Sequence, residues 1–450
     1  MKTLLFFHVF DNIKYMKRNI YQKLLAWKKS SHRKPLILQG ARQVGKTYIL
    51  KEFGKNEYSS VAYFNFEKDA ELRNFFKGKI SPEKIIEKLS IYQEKNIVPG
   101  KTLIIFDEIQ NSPETLTSLK YFQEDAKQYH IVAAGSLLGI KIGRSASFPV
   151  GKVNLMNLYP LSFGEYLEAI DKIKHRNLLV NIKSLIPIEI NFHQELIEDL
   201  KMFYFIGGMP EAILHYTQTK NLNEVRNIQT EILTAYMMDI SKHATKPESM
   251  KINRAWNSIP GQLARENKKF KFSDISKNAR SRDYAESIQW LIDAGLVYKC
   301  HNIKTAKLPL SGYREETTFK LYLLDIGLLG AMLGLSQKTI VTGNRLFSEY
   351  NGAFTENYAA QELILSNHKE LYYWSSANIA EVDFIIAANE QIFPLEVKAG
   401  LSTKNKSLKV FGEKYKMRLL SRATMRNFVH DGKICNYPLY AISLFPDLTR

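Results

Sequence analysis

The 450-residue sequence predicts an α/β chain whose first domain is a parallel sheet organised around a phosphate-binding loop. Three observations predict it. The apolar run Leu36-Ile37-Leu38 leads into a Gly-x-x-x-x-Gly-Lys-Thr pattern at Gly40–Thr47, and Tyr48–Phe53 continues as a helix. Apolar runs then alternate with helical periodicity as far as residue 158. One of those runs, Thr102–Phe106, ends in the acidic pair Asp107-Glu108.

The loop carries the strongest chemical signal. Gly40 and Gly45 let the backbone turn its N–H groups inward, and the helix N-terminus behind them adds positive field. Gly40, Ala41, Arg42, Gln43, Val44, Gly45, Lys46, Thr47 and Tyr48 are the expected nucleotide cradle. Lys46 would reach the β- and γ-phosphates and the Thr47 hydroxyl would hold Mg²⁺, so ATP and Mg²⁺ are the implied cofactors. A plain glycine turn with an exposed lysine would not need the whole eight-residue pattern.

Composition bounds the partners. At roughly 100–200 residues per domain, the length implies about two to four domains. There are 63 basic and 45 acidic side chains, a net charge of +18 and a pI near 9.5. That balance suits polyanions, with nucleic acid (DNA favoured) ahead of an anionic membrane, or else a generally basic solvated surface. Cys300 and Cys435 are the only cysteines, with no CxxC spacing, which argues against a disulfide scaffold or zinc site and suits the cytoplasm. No run of about 20 apolar residues appears, so no transmembrane segment is expected. Thr3–Phe10 imitates a signal peptide, but it is short, Asp11 follows it, and no small-residue cleavage site is present. Met16 is an alternative start. Within the basic N-terminal segment 1–34, Ile20, Leu24, Leu25 and Trp27 have helical spacing and are expected to pack on the nucleotide domain.

The ATPase core is expected over 35–158. Val61–Glu67 reads as its second strand, Pro82–Tyr92 as a helix, and Thr102–Ile109 as the next strand. Asp107 would bind Mg²⁺ in its outer shell and orient Thr47, while Glu108 would polarise the attacking water. Pro113–Tyr129 reads as a helix and Ile131–Ser136 as a strand. Ser136 would read the γ-phosphate or cap a helix. Arg144 and Lys152 are candidate cations for the transition state or ordinary loop charges, and Val153–Leu158 is a fifth strand. An extra strand between the two halves of the site is implied, because Val61–Glu67 precedes Asp107. Residues 159–248 turn helical and read as a lid, with Gly207-Gly208-Met209-Pro210 joining two helices.

These motifs resemble the prokaryotic AAA-type P-loop ATPases that carry a C-terminal domain of unknown function in the restriction-endonuclease-like superfamily. The resemblance rests on Gly40–Thr47, Leu103–Gln110, Ala134–Leu138, Tyr159–Leu167, Gly207–Ile213 and Tyr236–His243, and it covers nearly the whole chain from Met16. It implies ATP binding by a sheet with a helical lid, and the Gly-Gly-Met-Pro stretch is similar to the lid motif of signalling ATPases with numerous domains. The chain departs from many relatives in having Gly151-Lys152 where they carry Gly-Arg, which bears against an arginine-finger role there. A possible homo-oligomer is among the partner expectations.

Residues 249–312 read as helix, helix, helix and strand with a glycine turn at Gly295, a winged-helix pattern. Lys277, Arg280 and Arg282 would meet phosphates there, or the segment is a protein-docking spacer. The region 313–450 is expected to be the restriction-endonuclease-like α/β domain. Strands Glu381–Ala387 and Ile392–Ala399 flank Asn389-Glu390. In such a hairpin Asp383 lies opposite Glu396, and Glu381 opposite Lys398, all on one face. Asp383 and Glu396 would bind Mg²⁺ for phosphodiester cleavage, Lys398 would orient the water or neutralise the phosphorane, and Glu356 would complete the site. A cross-strand salt-bridge network is the other reading. The resemblance agrees with a nuclease core, except that Val382 precedes Asp383 where many nucleases have proline. Pro394 within its strand suggests a bulge. Lys404, Lys406, Lys409, Lys414, Lys416, Arg418, Arg422 and Arg426 form a basic run that clamps nucleic acid or is simply solvated. The combined expectation is an ATP-hydrolysing enzyme acting on nucleic acid. A nucleotide-controlled switch without cleavage is the alternative, and a membrane-surface ATPase the weakest reading.

Overall fold

The apolar runs around the phosphate loop form a five-stranded parallel sheet: β1 (Leu36–Gly40), β2 (Ser60–Asn65), β3 (Thr102–Asp107), β4 (His130–Ser136) and β5 (Asn154–Asn157). The computed structural model describes residues 16–78, 81–136, 148–342, 345–376, 380–401 and 405–449. Strand order is β2-β3-β4-β1-β5. The extra strand expected between the two halves of the site is therefore β4, while β2 lies at the edge. β3 and β4 are buried throughout, as strands covered on both faces must be, whereas β2 and β5 alternate in exposure. The helices are α1 (Ile20–Lys29), α2 (Lys46–Glu57), α3 (Pro82–Tyr92) and α4 (Pro113–Asp125). Ser81 and Ser112 cap α3 and α4, each followed by proline at the first turn. Phe66, Phe76 and Phe106 pack edge-on against one another, and Phe64 lies tilted against Phe106.

The chain divides into two compact units, Lys17–Tyr159 with Asp293–Gly295, and Pro160–Ile292 with Leu296–Arg450. In the second unit, α5 (Phe163–Ala169), α6 (Ile173–Asn181), α7 (Ile190–Ile206), α8 (Pro210–Thr219), α9 (Leu222–His243), α10 (Lys246–Leu263) and α11 (Ser281–Asp293) precede the strands. Further on come α12 (Ile326–Met332), α13 (Gln337–Thr342), α14 (Arg345–Leu365) and α15 (Lys406–Lys414). Its sheet has eight strands: β6 (Val297–Ile303), β7 (Arg314–Leu323), β8 (Leu371–Ser376), β9 (Ala380–Ala388), β10 (Gln391–Val397), β11 (Leu420–Thr424), β12 (Val429–Asp431) and β13 (Ile434–Pro438). Their order is β12-β13-β11-β10-β9-β8-β6-β7. A division at 312/313 would fall between β6 and β7, which pair antiparallel, and β6 also pairs parallel with β8. The strand read as the end of a winged helix is thus an inner strand of the eight-stranded sheet.

Hydrogen bonds tie early helices and loops of this unit to later ones. Gly207 (φ 74°) and Gly208 follow α7 where the chain passes close to Asp325, the N-cap of α12. The Gly208 N–H donates to Asp325 Oδ2 at 2.6 Å, and Asp325 Oδ1 accepts from Leu328 N at 3.0 Å. A Cβ on Gly207 would lie 2.3 Å from Asp325 Oδ1, and one on Gly208 2.2 Å from the Leu161 carbonyl. Only glycine fits either place. Glu362 of α14 accepts from the Phe163 N–H at 2.8 Å, and the Asn427 side chain pairs with both backbone groups of Ile188.

The expected bulge at Pro394 is not found. β9 and β10 pair in unbroken register through Pro394↔Ile385, and pairing of β10 with β11 starts only at Leu395. The ring thus stands just before the strand becomes central, where no donor is needed on that side.

Candidate functional site

The phosphate loop is shaped by its two glycines. Gly45 has φ 91° and caps α2, and Gln43 is also left-handed at φ 62°. A Cβ on Gly40 would lie 2.2 Å from the Leu158 carbonyl, so this position admits no side chain. The Lys46 ammonium is buried and donates to the carbonyls of Gly40 (3.1 Å) and Ala41 (2.7 Å). Ala41 and Val44 are buried, Arg42 and Tyr48 half-buried, and Gln43 exposed. Val44 is held from behind: Arg18 donates to its carbonyl at 3.1 Å and to that of Tyr159 at 2.6 Å. Arg18, just ahead of α1, thereby ties the N-terminal segment to the loop.

The acidic strand end meets the loop. The Thr47 hydroxyl lies 3.1 and 2.9 Å from the two oxygens of Asp107, and Tyr63 donates to Asp107 Oδ2 at 2.6 Å. Asn65, opposite Asp107 in the β2–β3 register, donates to the Tyr63 hydroxyl at 3.2 Å. β3 stops at Asp107 because Glu108 adopts the left-handed conformation (φ 53°), which turns its carboxylate away from the strand direction, where the Gln110 amide holds it. Thr47 and Asp107 supply hard oxygens side by side, a donor set that fits Mg²⁺. Ser136 is buried opposite Gly40 in the β1–β4 register, at the loop's first residue. Lys152 is paired with Glu124 at 2.9 Å, and Arg144 lies outside the described residues. Tyr63 and Arg18 are the parts that sequence reasoning missed. The alternating pattern of β2 marked one of its faces, but only the strand order shows that it adjoins Asp107.

The second cluster lies on the C-terminal sheet. Asn389 (φ 46°) and Glu390 (φ 59°) form the two-residue turn, and Gln391↔Ala388 to Leu395↔Phe384 set the register expected for Asp383 beside Glu396. The Val397 N–H donates to Asp383 Oδ2 at 2.8 Å, and Lys398 pairs with Glu396 Oε1 at 2.5 Å. Glu396 Oε2 is buried without a hydrogen-bond partner. Asp383 and Glu396 are both raised, first by burial, with further contributions from neighbouring charges that include Glu356.

Glu356 enters this cluster through lysines. It pairs with Lys268, accepts from the Tyr322 hydroxyl at 3.0 Å, and lies 3.3 Å from Lys320. Burial opposes its charge, but Lys268 and Lys320 outweigh that and bring it down to about 2. Lys320 of β7 is the hub, 2.7 Å from Glu381 and 3.8 Å from Asp383 as well. Burial opposes its charge too, yet the surrounding acids hold it well above its ordinary value. Glu381 faces Lys320, and Lys269 stands 4.0 Å away. Among the described residues no group of three or more His, Cys, Asp or Glu side chains is placed to hold a metal ion. The unpartnered Glu396 oxygen beside Asp383 nevertheless suits a hard divalent cation held by two carboxylates. Of the basic run, Lys406, Lys409, Lys414, Lys416 and Arg418 are exposed. Arg422 is buried against Asn436 at 3.0 Å, Arg426 is half-buried, and Lys404 lies outside the described residues.

Comparison with known proteins agrees with the loop geometry. Residues 32–167 match a family model described as an AAA domain. This segment is an AAA-type P-loop domain. Residues 197–339 and 351–441 match two further models, each described as a domain of unknown function (DUF8612 and DUF4143). Uncharacterized proteins of Mycobacterium tuberculosis and Mycobacterium bovis are each 23% identical over 383 residues, covering 82% of this chain and 72% of theirs. Among solved structures, the Walker-type ATPase of Pyrococcus abyssi aligns with a TM-score of 0.43 at 12% identity, over 71% of this chain and 96% of that one. The Aeropyrum pernix Orc1 protein in complex with DNA aligns with a TM-score of 0.30 at 13% identity, over 74% and 95%. No helix among the described residues is long and apolar enough to cross a membrane.

Proposed function

We propose that this chain binds and hydrolyses ATP with Mg²⁺ and acts with nucleic acid through its second unit. The observation that carries the first part is the hydroxyl–carboxylate contact between Thr47 and Asp107 at the mouth of the phosphate loop. Thr47 and Asp107 would hold Mg²⁺ there, and its charge would offset that of the phosphates. Lys46 would exchange its two carbonyl partners for phosphate oxygens, which accept from an ammonium more strongly. Asp107, oriented by Tyr63, fixes the Thr47 hydroxyl. Glu108, next to Asp107 in the chain, would be the base for water once it leaves the Gln110 amide, and Ser136, opposite Gly40, would sense the terminal phosphate. Calorimetric titration with ATP and Mg²⁺ tests this: Lys46→Ala should abolish binding and turnover, and retained turnover would refute the assignment.

For the second unit, the partnerless Glu396 oxygen next to Asp383 favours metal-dependent phosphodiester cleavage. There Lys398, which pairs with Glu396, would orient the water or neutralise the phosphorane, and the exposed lysines of α15 would hold the backbone. The competing reading is a switch that binds DNA or a protein without cutting, in which the lysines alone neutralise the acids. Plasmid and single-strand cleavage with Mn²⁺ or Mg²⁺, with and without ATP, separates them. Cleavage lost in Lys398→Ala supports the nuclease, and ATP-dependent retardation without cleavage supports the switch.

A further inference from the structure

The segment between α10 and the turn at Phe272–Asp274 crosses the carboxylate cluster. Its consecutive lysines reach different acids: Lys268 pairs with Glu356, and Lys269 lies 4.0 Å from Glu381. Both side chains are largely withdrawn from solvent, at 13% and 20% exposure. The next residue, Phe270, anchors the segment to β7. Its N–H donates to the Phe319 carbonyl at 2.8 Å, and the two rings stack with centroids 5.5 Å apart and planes 15° from parallel. Each acid that receives a strap lysine also touches Lys320, so the strap adds two charges to a cluster that already holds a buried ammonium.

We propose that this strap is an electrostatic latch on the candidate metal site, released when a nucleic-acid phosphate backbone competes for Lys268 and Lys269. The proposal rests on the metal reading of Asp383 and Glu396 given above. A divalent cation beside those carboxylates is repelled by every ammonium nearby. Polyphosphate offers lysines an alternative partner on the solvent side, while Lys320, with no route to solvent, stays behind. Ligand binding at the strap and metal binding at the acids are then coupled with positive sign.

The test is a Mn²⁺ titration of the full chain, read from the electron paramagnetic resonance of the free ion. It compares wild type, Lys269→Ala, the double variant Lys268→Ala/Lys269→Ala, and Asp383→Asn. Each lysine removed should tighten Mn²⁺ binding by about tenfold, and Asp383→Asn should remove that site. Lys269→Ala leaves the buried Glu356 fully paired, so it decides the matter if the double variant does not fold. Equal affinity in wild type and Lys269→Ala, with the site still lost in Asp383→Asn, overturns the latch and leaves the metal reading standing. Mn²⁺ binding that is absent throughout, or indifferent to Asp383→Asn, overturns the metal reading and the latch with it.

Discussion

Thr47 and Asp107 lie 60 residues apart in the chain and in hydrogen-bond contact in the fold. The contact joins the first turn of α2 to the end of β3, so both halves of the nucleotide site are held before any ion arrives. Asp107→Asn keeps the size but loses the charge. ATP turnover should fall at least about a hundredfold, with a smaller loss in nucleotide affinity. Tyr63→Phe removes one hydrogen bond to Asp107 and should cost only a few-fold. Steady-state ATPase assays over a range of Mg²⁺ concentrations check both.

Arg18 holds the back of the phosphate loop by two carbonyls. Bonds from a charged donor contribute about 1.5–3 kcal/mol each, so losing both in Arg18→Ala should lower the stability of the first unit by about 3–6 kcal/mol and weaken ATP binding. Thermal melts with and without nucleotide would show it.

Gly207 and Gly208 are wedged between Asp325 and Leu161. Gly207→Ala combines a collision with a backbone conformation (φ 74°, ψ −169°) that is essentially restricted to glycine, and should cost about 3 kcal/mol or more. Gly208→Ala meets a backbone carbonyl and should be as severe. Urea midpoints at constant slope measure both, and a loss under about 1 kcal/mol would show that the junction yields.

Glu362 is buried, and burial pushes its carboxyl up to about 8, with the Phe163 N–H acting the other way and Glu165 adding to the rise. Because the folded value exceeds the unfolded one, its contribution favours the fold below about pH 4.5 and is lost as pH rises through about 8. Melting temperature should therefore carry a downward component between pH 5 and 9. Glu362→Gln, which keeps an acceptor for Phe163, should flatten that component.

The hairpin register was legible in advance because alternation and a two-residue turn specify it locally: once Asn389-Glu390 is the turn, Asp383 must stand by Glu396. The phosphate loop was legible for the same reason, its glycines, lysine and threonine being neighbours in sequence. Lys320 was not, because it precedes Asp383 by a helix-rich stretch and arrives on an edge strand whose partners no local pattern reveals. Asp325 likewise reads as a helix cap, which it is, while its bond to Gly208 belongs to the tertiary fold. Strands β11, β12 and β13 are short and partly basic, and only pairing distinguishes Arg422, buried on Asn436, from the solvated lysines before it. Tyr63 and Arg18 act through neighbours that strand order and the N-terminal segment provide.

The ties from Phe163, Ile188 and Gly208 to Glu362, Asn427 and Asp325 have a consequence for biogenesis. Each joins a segment synthesised early in the second unit to one synthesised late. The P-loop domain can complete its sheet once residue 159 has left the ribosome. The helices that follow cannot, because their partners emerge last, and their apolar faces stay uncovered for the remaining time of translation. Nascent chains stalled between about residues 250 and 420 should accordingly resist protease over the first unit and remain sensitive beyond it, with full protection gained in one late step.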